Sequence, residues 1–276
     1  MKSLSILAVS LLLQALACLG QSPTPAASPK PVATPAASAA PAAPASPTPI
    51  ATPSVAAAQK PTPALPNFTK EEQAAGVQRY YPSDIQLGTP KPGENRVVFM
   101  GDSITDAWQL PTSFPGKTYI NRGASGQTTT QMLVRFPYDV IGTHAAVVTI
   151  LAGTNDISQN QGPITLEAIA GNLEKMALIA RQHGTHPIIC SILPAFDYPW
   201  HKGLQPAEKV RTVNGMLKTW CARKHVIFVD YYPALVDDRG GMQAKYSGDG
   251  IHPNAAGYAV MAPLVEAGIH RALRRH

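Results

Sequence analysis

RVVFMGDSITDAW, residues 96–108, joins two patterns that ordinarily stay apart. Val97 to Met100 are an unbroken apolar run with two adjacent β-branched residues, the signature of a strand buried on both faces. The run does not return to solvent through a polar turn; it passes straight into Gly101-Asp102-Ser103. In open sheets of parallel strands, ligands bind outside the carboxyl ends of the strands. A serine delivered at that edge is therefore a candidate for chemistry, provided that the sheet is parallel.

The rest of the chain supplies that condition. After Asn95, strand candidates fall at 96–100, 118–121 (TYIN), 145–153, 186–194 and 226–232, alternating with helix candidates at Thr128 to Phe136, Ile164 to His183, Pro206 to Lys224 and Asn254 to Leu273. Leu166, Ile169, Leu173, Met176, Ala177 and Ala180 recur at spacings of three and four, the period of a helix with one buried stripe. Continuous apolar strands alternating with helices predict an α/β fold, a parallel sheet of about five strands covered on both faces. Residues that follow the strands then become the site candidates: Gly101 to Ser103, Gly123 to Gly126, Gly153 to Asp156, and Pro194 to His201.

The other end of the chain has a different character. Lys2 precedes an apolar run from Leu4 to Leu13 and then Ala15-Leu16-Ala17. The run falls short of the ~20 residues that span a bilayer, so residues 1–20 read as an export signal. Cys18 directly follows Ala17, which makes it a candidate for acylation and membrane attachment; ordinary cleavage by signal peptidase is the competing reading. Residues 21–66 are almost wholly Pro, Ala, Ser and Thr, with nothing to bury, and are expected to form a disordered tether. Residues 67–276 suit one domain with a sizeable core. The net charge of +6 is spread along the chain, with no basic run interleaved with aromatics, so a nucleic-acid partner is not expected. Cys190 and Cys221 are permitted a disulfide by an exported location, but two buried thiols serve as well.

A serine hydroxyl needs a base to remove its proton, and a histidine base needs an acceptor to orient it. Of eight histidines, His144, His186 and His225 precede strands and belong at the opposite end of the sheet; His183 and His270 lie late in helices, and His276 is terminal. His201 and His252 remain. His252 lies three residues after Asp249, with Gly250 permitting a tight bend, so a carboxylate and an imidazole can meet within one loop. Turn and helix-start chemistry is an ordinary alternative for Asp-Gly and His-Pro-Asn. Donors for a developing oxyanion are available from the Ser103 N–H, the glycine turn at 123–126 and the Asn155 side chain. Trp108, Phe196, Tyr198, Trp200 and His201 are candidates to line a pocket, with Trp108 equally suited to the core. No G-x-S-x-G elbow surrounds Ser103, and Pro111 stands where a phosphate loop ending at Gly116-Lys117-Thr118 needs glycine.

Taken together and in order, GDSIT (101–105), NRGASG (121–126), GTND (153–156) and DGIHPN (249–254) resemble the SGNH (GDSL-type) hydrolases. The wording of the second and third blocks is similar to the branch of platelet-activating-factor acetylhydrolase and bacterial carbohydrate acetylesterases. The resemblance implies a flavodoxin-like three-layer α/β/α sandwich with no metal or organic cofactor. It implies Ser103 as nucleophile, Asp249 and His252 as the rest of a triad, and Ser103, Gly126 and Asn155 as oxyanion donors, with Gly123 left open as an alternative to Gly126. Trp108, Trp200 and His201 are expected to contact substrate. The expected protein is an exported esterase that removes short acyl groups, acetyl above all, from a small-molecule or glycan ester. A lysophospholipase or lipase is the rival enzyme. A catalytically silent carbohydrate- or wall-binding module is the rival of another class, disfavoured by the intact serine, histidine and aspartate.

Overall fold

The computed structural model describes residues 65–274. The export-signal reading, Cys18, nearly all of the proline-rich segment and His276 lie outside the described residues. Five strands, β1 (Val97–Gly101), β2 (Ile120–Gly123), β3 (Val147–Leu151), β4 (His186–Cys190) and β5 (Ile227–Val229), form one sheet in the order β2-β1-β3-β4-β5. Every pairing is parallel. The helices in chain order are α1 (Lys70–Ala74), α2 (Tyr81–Leu87), α3 (Ser103–Asp106), α4 (Leu110–Ser113), α5 (Thr129–Phe136), α6 (Thr154–Ile157), α7 (Leu166–Gln182), α8 (Pro206–Lys224), α9 (Tyr232–Leu235) and α10 (Ala255–Leu273). The strand order is that of a flavodoxin-like fold, whose connections diverge to either side of the first strand; the crevice lies where they part, between β1 and β3.

Strand alternation builds two cores. Val98, Met100, Val148, Ile150 and Ile189 face the layer of α5, α7 and α8, against Met132, Ile169, Leu173, Met176, Val213 and Leu217. Val97, Phe99, Val147, Ile188 and Val229 face the other way, against Met261, Val265 and Ile269 of α10 and the aromatic group Trp108, Phe114 and Tyr258. Full burial of side chains of this size stabilises by roughly 1.5–3 kcal/mol each relative to exposure. The long helices begin where the sequence marks them. Thr165 caps α7 by accepting from Ala168 N, Pro206 opens α8, and Asn254 caps α10 by accepting from Gly257 N at 3.1 Å.

All five strands differ in their bounds from the expected ones; β1 is shifted by one residue, and β3 and β4 stop at Leu151 and Cys190 rather than at 153 and 194. β2 starts at Ile120 rather than Thr118 and runs through Arg122 to Gly123, because pairing with β1 sets Val98 opposite Ile120 and Gly101 opposite Gly123. The polar look of Asn121-Arg122 hides this: Arg122 is buried, its guanidinium paired with Asp84. β5 ends at Val229, and Tyr232 already opens α9. Cys190 and Cys221 are both buried free thiols.

Residues 65–95, for which no element is expected from the sequence, form a strap beside the β2 edge. A capping box between Thr69 and Glu72 opens α1, and Phe68, Tyr81 and Tyr138 pack edge to face. The Tyr80 hydroxyl donates to Gly123 O, Arg96 donates to Leu87 O and Gly88 O, and Gln127 Nε2 donates to Ala75 O at 2.6 Å. These bonds attach the strap to the ends of β1 and β2 and to the loop that follows β2.

Candidate active site

Ser103 is the first residue of α3, directly after β1. The turn is tight because Gly101 lacks a side chain: a Cβ there would lie 2.0 Å from Thr105 Oγ1 and 2.8 Å from Leu151 O. Asp102 caps the helix, its Oδ1 accepting from Ile104 N at 3.0 Å. Burial pushes its carboxyl up to about 7, with the neighbouring Asp156 adding to the rise and the bond from Ile104 opposing it. Both aspartates flanking the site serve its loops. Asp156 accepts from Thr129 N at 2.9 Å and from Thr129 Oγ1 at 2.6 Å, which ties α6 to the start of α5.

The last loop of the chain brings the candidate base. His252 Nε2 lies 2.9 Å from Ser103 Oγ across 149 residues of sequence, and His252 Nδ1 lies 2.6 Å from Asp249 Oδ2. The carboxylate is an obligatory acceptor, so Nδ1 carries the proton and the Nε2 lone pair faces the serine. Asp249 Oδ1 accepts from Ser247 Oγ at 3.0 Å, Ile251 N at 2.9 Å and His252 N at 2.8 Å. Partial burial favours the neutral acid, but the bonds from the His252 ring, the two backbone N–H groups and Ser247 outweigh it and hold the carboxyl well below the usual carboxylate range. Gly250, at φ +80°, makes the bend. Tyr258, in the first turn of α10, donates its hydroxyl to Ile104 O at 2.7 Å and so joins the base-bearing loop to the turn that bears the serine.

Two loops complete the edge. Gly126 is exposed at φ +79° in the loop after β2, while the Gly123 N–H already donates to Asn121 Oδ1 at 2.8 Å. A Cβ on Gly123 would lie 2.0 Å from Asp106 N, so this glycine is needed for the close approach of α3 and not for a donor. Asn155, in α6, is buried and donates from Nδ2 to Gln127 O at 3.0 Å. One N–H of its carboxamide remains.

The GDSL-like lipase/acylhydrolase family profile matches residues 99–260, more than half of the chain. The chain belongs to that family. Esterase TesA of Pseudomonas aeruginosa is 28% identical over 186 residues, 62% of this chain and 86% of that protein. A GDSL-like lipase from Bacteroides thetaiotaomicron, a solved structure, is 36% identical with a TM-score of 0.69, covering 72% of this chain and 98% of that one. Axe2, an acetylxylan esterase from Geobacillus stearothermophilus, shares the fold at 19% identity and a TM-score of 0.52, over 63% of this chain and 94% of that one.

The chain is thus an esterase of the GDSL type, and all four sequence blocks meet at one sheet edge. The aromatic candidates divide. Trp108 is a correction to the expected substrate contacts: it is 2% exposed, donates from Nε1 to Ser113 Oγ at 2.8 Å and packs against Phe99, Phe114 and Tyr258. Its ring follows α3 into the core because Phe99 on the same face of β1 needs cover. Trp200 is 47% exposed, its ring centre 6.3 Å from that of His252. His201, also exposed, donates from Nδ1 to Ser158 O at 2.9 Å, beside α6.

Sequence reasoning missed the support beneath the loops. Arg135 is fully buried and donates to Gln127 Oε1, to Arg122 O at 2.9 Å, to Gly101 O at 2.8 Å and to Asp139. One guanidinium thus holds the ends of β1 and β2 and the residue after Gly126. A basic residue on the inner face of an otherwise apolar α5 stripe, four before Asp139, was the available signal.

Proposed function

We propose that the protein hydrolyses short acyl esters, acetyl above all, carried on a carbohydrate or similar alcohol, through a covalent acyl-enzyme on Ser103. The observation that carries this reading is the relay from Asp249 through His252 to Ser103, with heavy-atom separations of 2.6 and 2.9 Å. As Ser103 Oγ attacks the acyl carbonyl carbon, His252 Nε2 takes its proton, and Asp249 stabilises the imidazolium. The carbonyl π bond opens to an oxyanion held by the Ser103 N–H, the Gly126 N–H and the remaining Asn155 N–H. The tetrahedral species collapses by breaking the bond to the alcohol oxygen, which leaves with the proton from His252. Water, deprotonated by the same nitrogen, then attacks the acyl-enzyme, and the carboxylic acid departs as Ser103 recovers its proton.

The alcohol side of the site supports a hydroxyl-rich leaving group. Trp200 offers an exposed indole face beside His252. The cleft that runs past Asp249 is lined by Asp197, Lys202, Asp237 and Arg239 together with Phe196 and Met242. A cleft that mixes charged side chains with an aromatic suits sugar hydroxyls better than a lipid tail. The basic start, short apolar run and Ala15-Leu16-Ala17 of the first 20 residues support export, and Cys18 supports attachment to a membrane by acylation. The decisive assay is hydrolysis of p-nitrophenyl acetate through octanoate, alongside acetylated oligosaccharides, with Ser103→Ala as reference. Activity that peaks at acetate and is abolished in the variant is the expected result. A maximum at octanoate refutes the acetyl assignment and favours a lipase; turnover that survives Ser103→Ala refutes the nucleophile.

A further inference from the structure

Trp200 Nε1–H, which can only donate, lies 3.2 Å from Asn160 Oδ1, an oxygen that also accepts from Ser158 Oγ at 2.7 Å. With that oxygen engaged, Asn160 Nδ2 faces Asn155 Oδ1 at 2.8 Å and Gly126 O at 3.5 Å. At the far end, Gln127 O, which can only accept, lies 3.0 Å from Asn155 Nδ2. An obligatory donor at one end and an obligatory acceptor at the other leave a single orientation for both carboxamides. A flipped Asn155 would set its oxygen against Gln127 O and could not keep the bond to Asn160 Nδ2.

We propose that Asn160 is the positioning residue of the oxyanion hole, clamping the Asn155 carboxamide and the Gly126 turn in the arrangement that points one Asn155 N–H at the developing negative charge. The proposal rests on the assignment of Gly126 and Asn155 as donors made above. Asn160 touches both of them and neither the nucleophile nor the base, so it acts through them. Its own orientation is set by Trp200, the exposed aromatic beside His252. The bond chain therefore links the surface on which a leaving alcohol docks to the donors that stabilise the transition state. Donors of this kind contribute most when they need no reorganisation at the moment of reaction, and a misplacement of about 1 Å can cost ~10²-fold.

The test is a set of variants in the full-length protein, assayed on p-nitrophenyl acetate with rates normalised by active-site titration. Asn160→Asp is isosteric and keeps the bonds from Ser158 and Trp200 while losing the donor to Asn155; Asn160→Ala removes the donor without adding charge. Asn160 is exposed, so neither change opens a cavity. Both are expected to lower kcat by ~10–100-fold with KM within about twofold. Asn155→Ala is expected to lower kcat by ~10²–10³-fold, and adding Asn160→Ala to it should lower kcat little further, since the clamp has lost what it holds. Trp200→Phe keeps the ring and loses the N–H; it should lower kcat in the wild-type background but not beside Asn160→Ala. If Asn155→Ala loses activity and the Asn160 variants keep wild-type kcat, the positioning role is overturned and the donor assignment stands. If the Asn160 loss is equal with and without Asn155, Asn160 acts elsewhere and the proposal is overturned. If Asn155→Ala itself retains kcat, the donor assignment falls first, and the proposal with it.

Discussion

Asp249→Asn tests the triad at its most economical point, because the change moves one proton and almost no volume. Asp249 Oδ1 accepts from Ser247 Oγ, Ile251 N and His252 N, and an asparagine oxygen placed there keeps all three bonds. The new NH₂ then faces His252 Nδ1 across 2.6 Å, donor against donor. The imidazole relieves this by moving its proton to Nε2, which turns a donor toward Ser103 Oγ at 2.9 Å where an acceptor is needed. General-base removal of the serine proton is lost, at a cost on the order of 10⁴ in kcat, or about 5 kcal/mol of transition-state stabilisation. The fold should be nearly unaffected, with three of four bonds retained. Steady-state kinetics on p-nitrophenyl acetate measure the loss, and reaction of Ser103 with a fluorophosphonate should slow in parallel because the same activation is missing. If the Asp249→Asn protein is folded by circular dichroism and loses less than about tenfold in kcat, the relay is refuted and the Asp249 bonds belong to loop structure alone.

Gly101→Ala places a methyl group 2.8 Å from Leu151 O, a backbone atom that cannot rotate away; thermal melts should show a loss of at least about 1–3 kcal/mol, together with lower kcat. Asp102, with its carboxyl raised from 3.8 to about 7 by burial, binds a proton more tightly folded than unfolded. The stability this contributes is fully present below pH 3.8 and is lost as pH rises to about 7, so Asp102→Asn should raise the melting temperature at pH 8 and lose that advantage at pH 4. Equal shifts at both pH values would show that the carboxyl does not titrate in this window. A chain starting at residue 67 keeps Phe68 and the strap and should retain full kcat, whereas one starting at residue 90 loses the Tyr80 bond to the end of β2 and the Ala75 bond to Gln127 in the loop that follows, and should lose most of it. Comparable activity in the two chains would show that the strap is dispensable.

Much of this was legible because the chemistry coincides with strand ends. Val97 to Met100 alternate between two cores and stop at Gly101, and the same break at Gly153 delivers Asn155; periodicity and punctuation are local signals that a sequence carries openly. Asp249 and His252 were legible as a pair because three residues separate them. Their meeting with Ser103 was not local, and it depended on the parallel sheet inferred from the alternation of elements. What escaped reading was polar and long-range. Arg122 looked like a loop residue because its partner Asp84 lies in a segment with no marked periodicity. Trp108 was misplaced for the converse reason: an aromatic close to a candidate nucleophile suits a pocket and a core equally, and only the neighbours Phe99, Phe114 and Tyr258 decide between them. Asn160 carries no periodic mark at all, since its importance depends on which atoms of four other residues face it.

The tie from Tyr258 to Ile104 has a bearing on how activity arises in time. Synthesis produces Ser103 first and its imidazole partner His252 149 residues later, and the last strand, β5, precedes His252 in the chain. On the proposed roles, a nascent chain presents Ser103 through much of translation without the histidine that would deprotonate it. A chain that ends before Asp249 has every strand and no His252, and one that ends before Tyr258 has His252 without the bond that ties its loop to Ile104. If Ser103 and His252 act as proposed, ester cleavage has to wait for the final loop and the helix that anchors it.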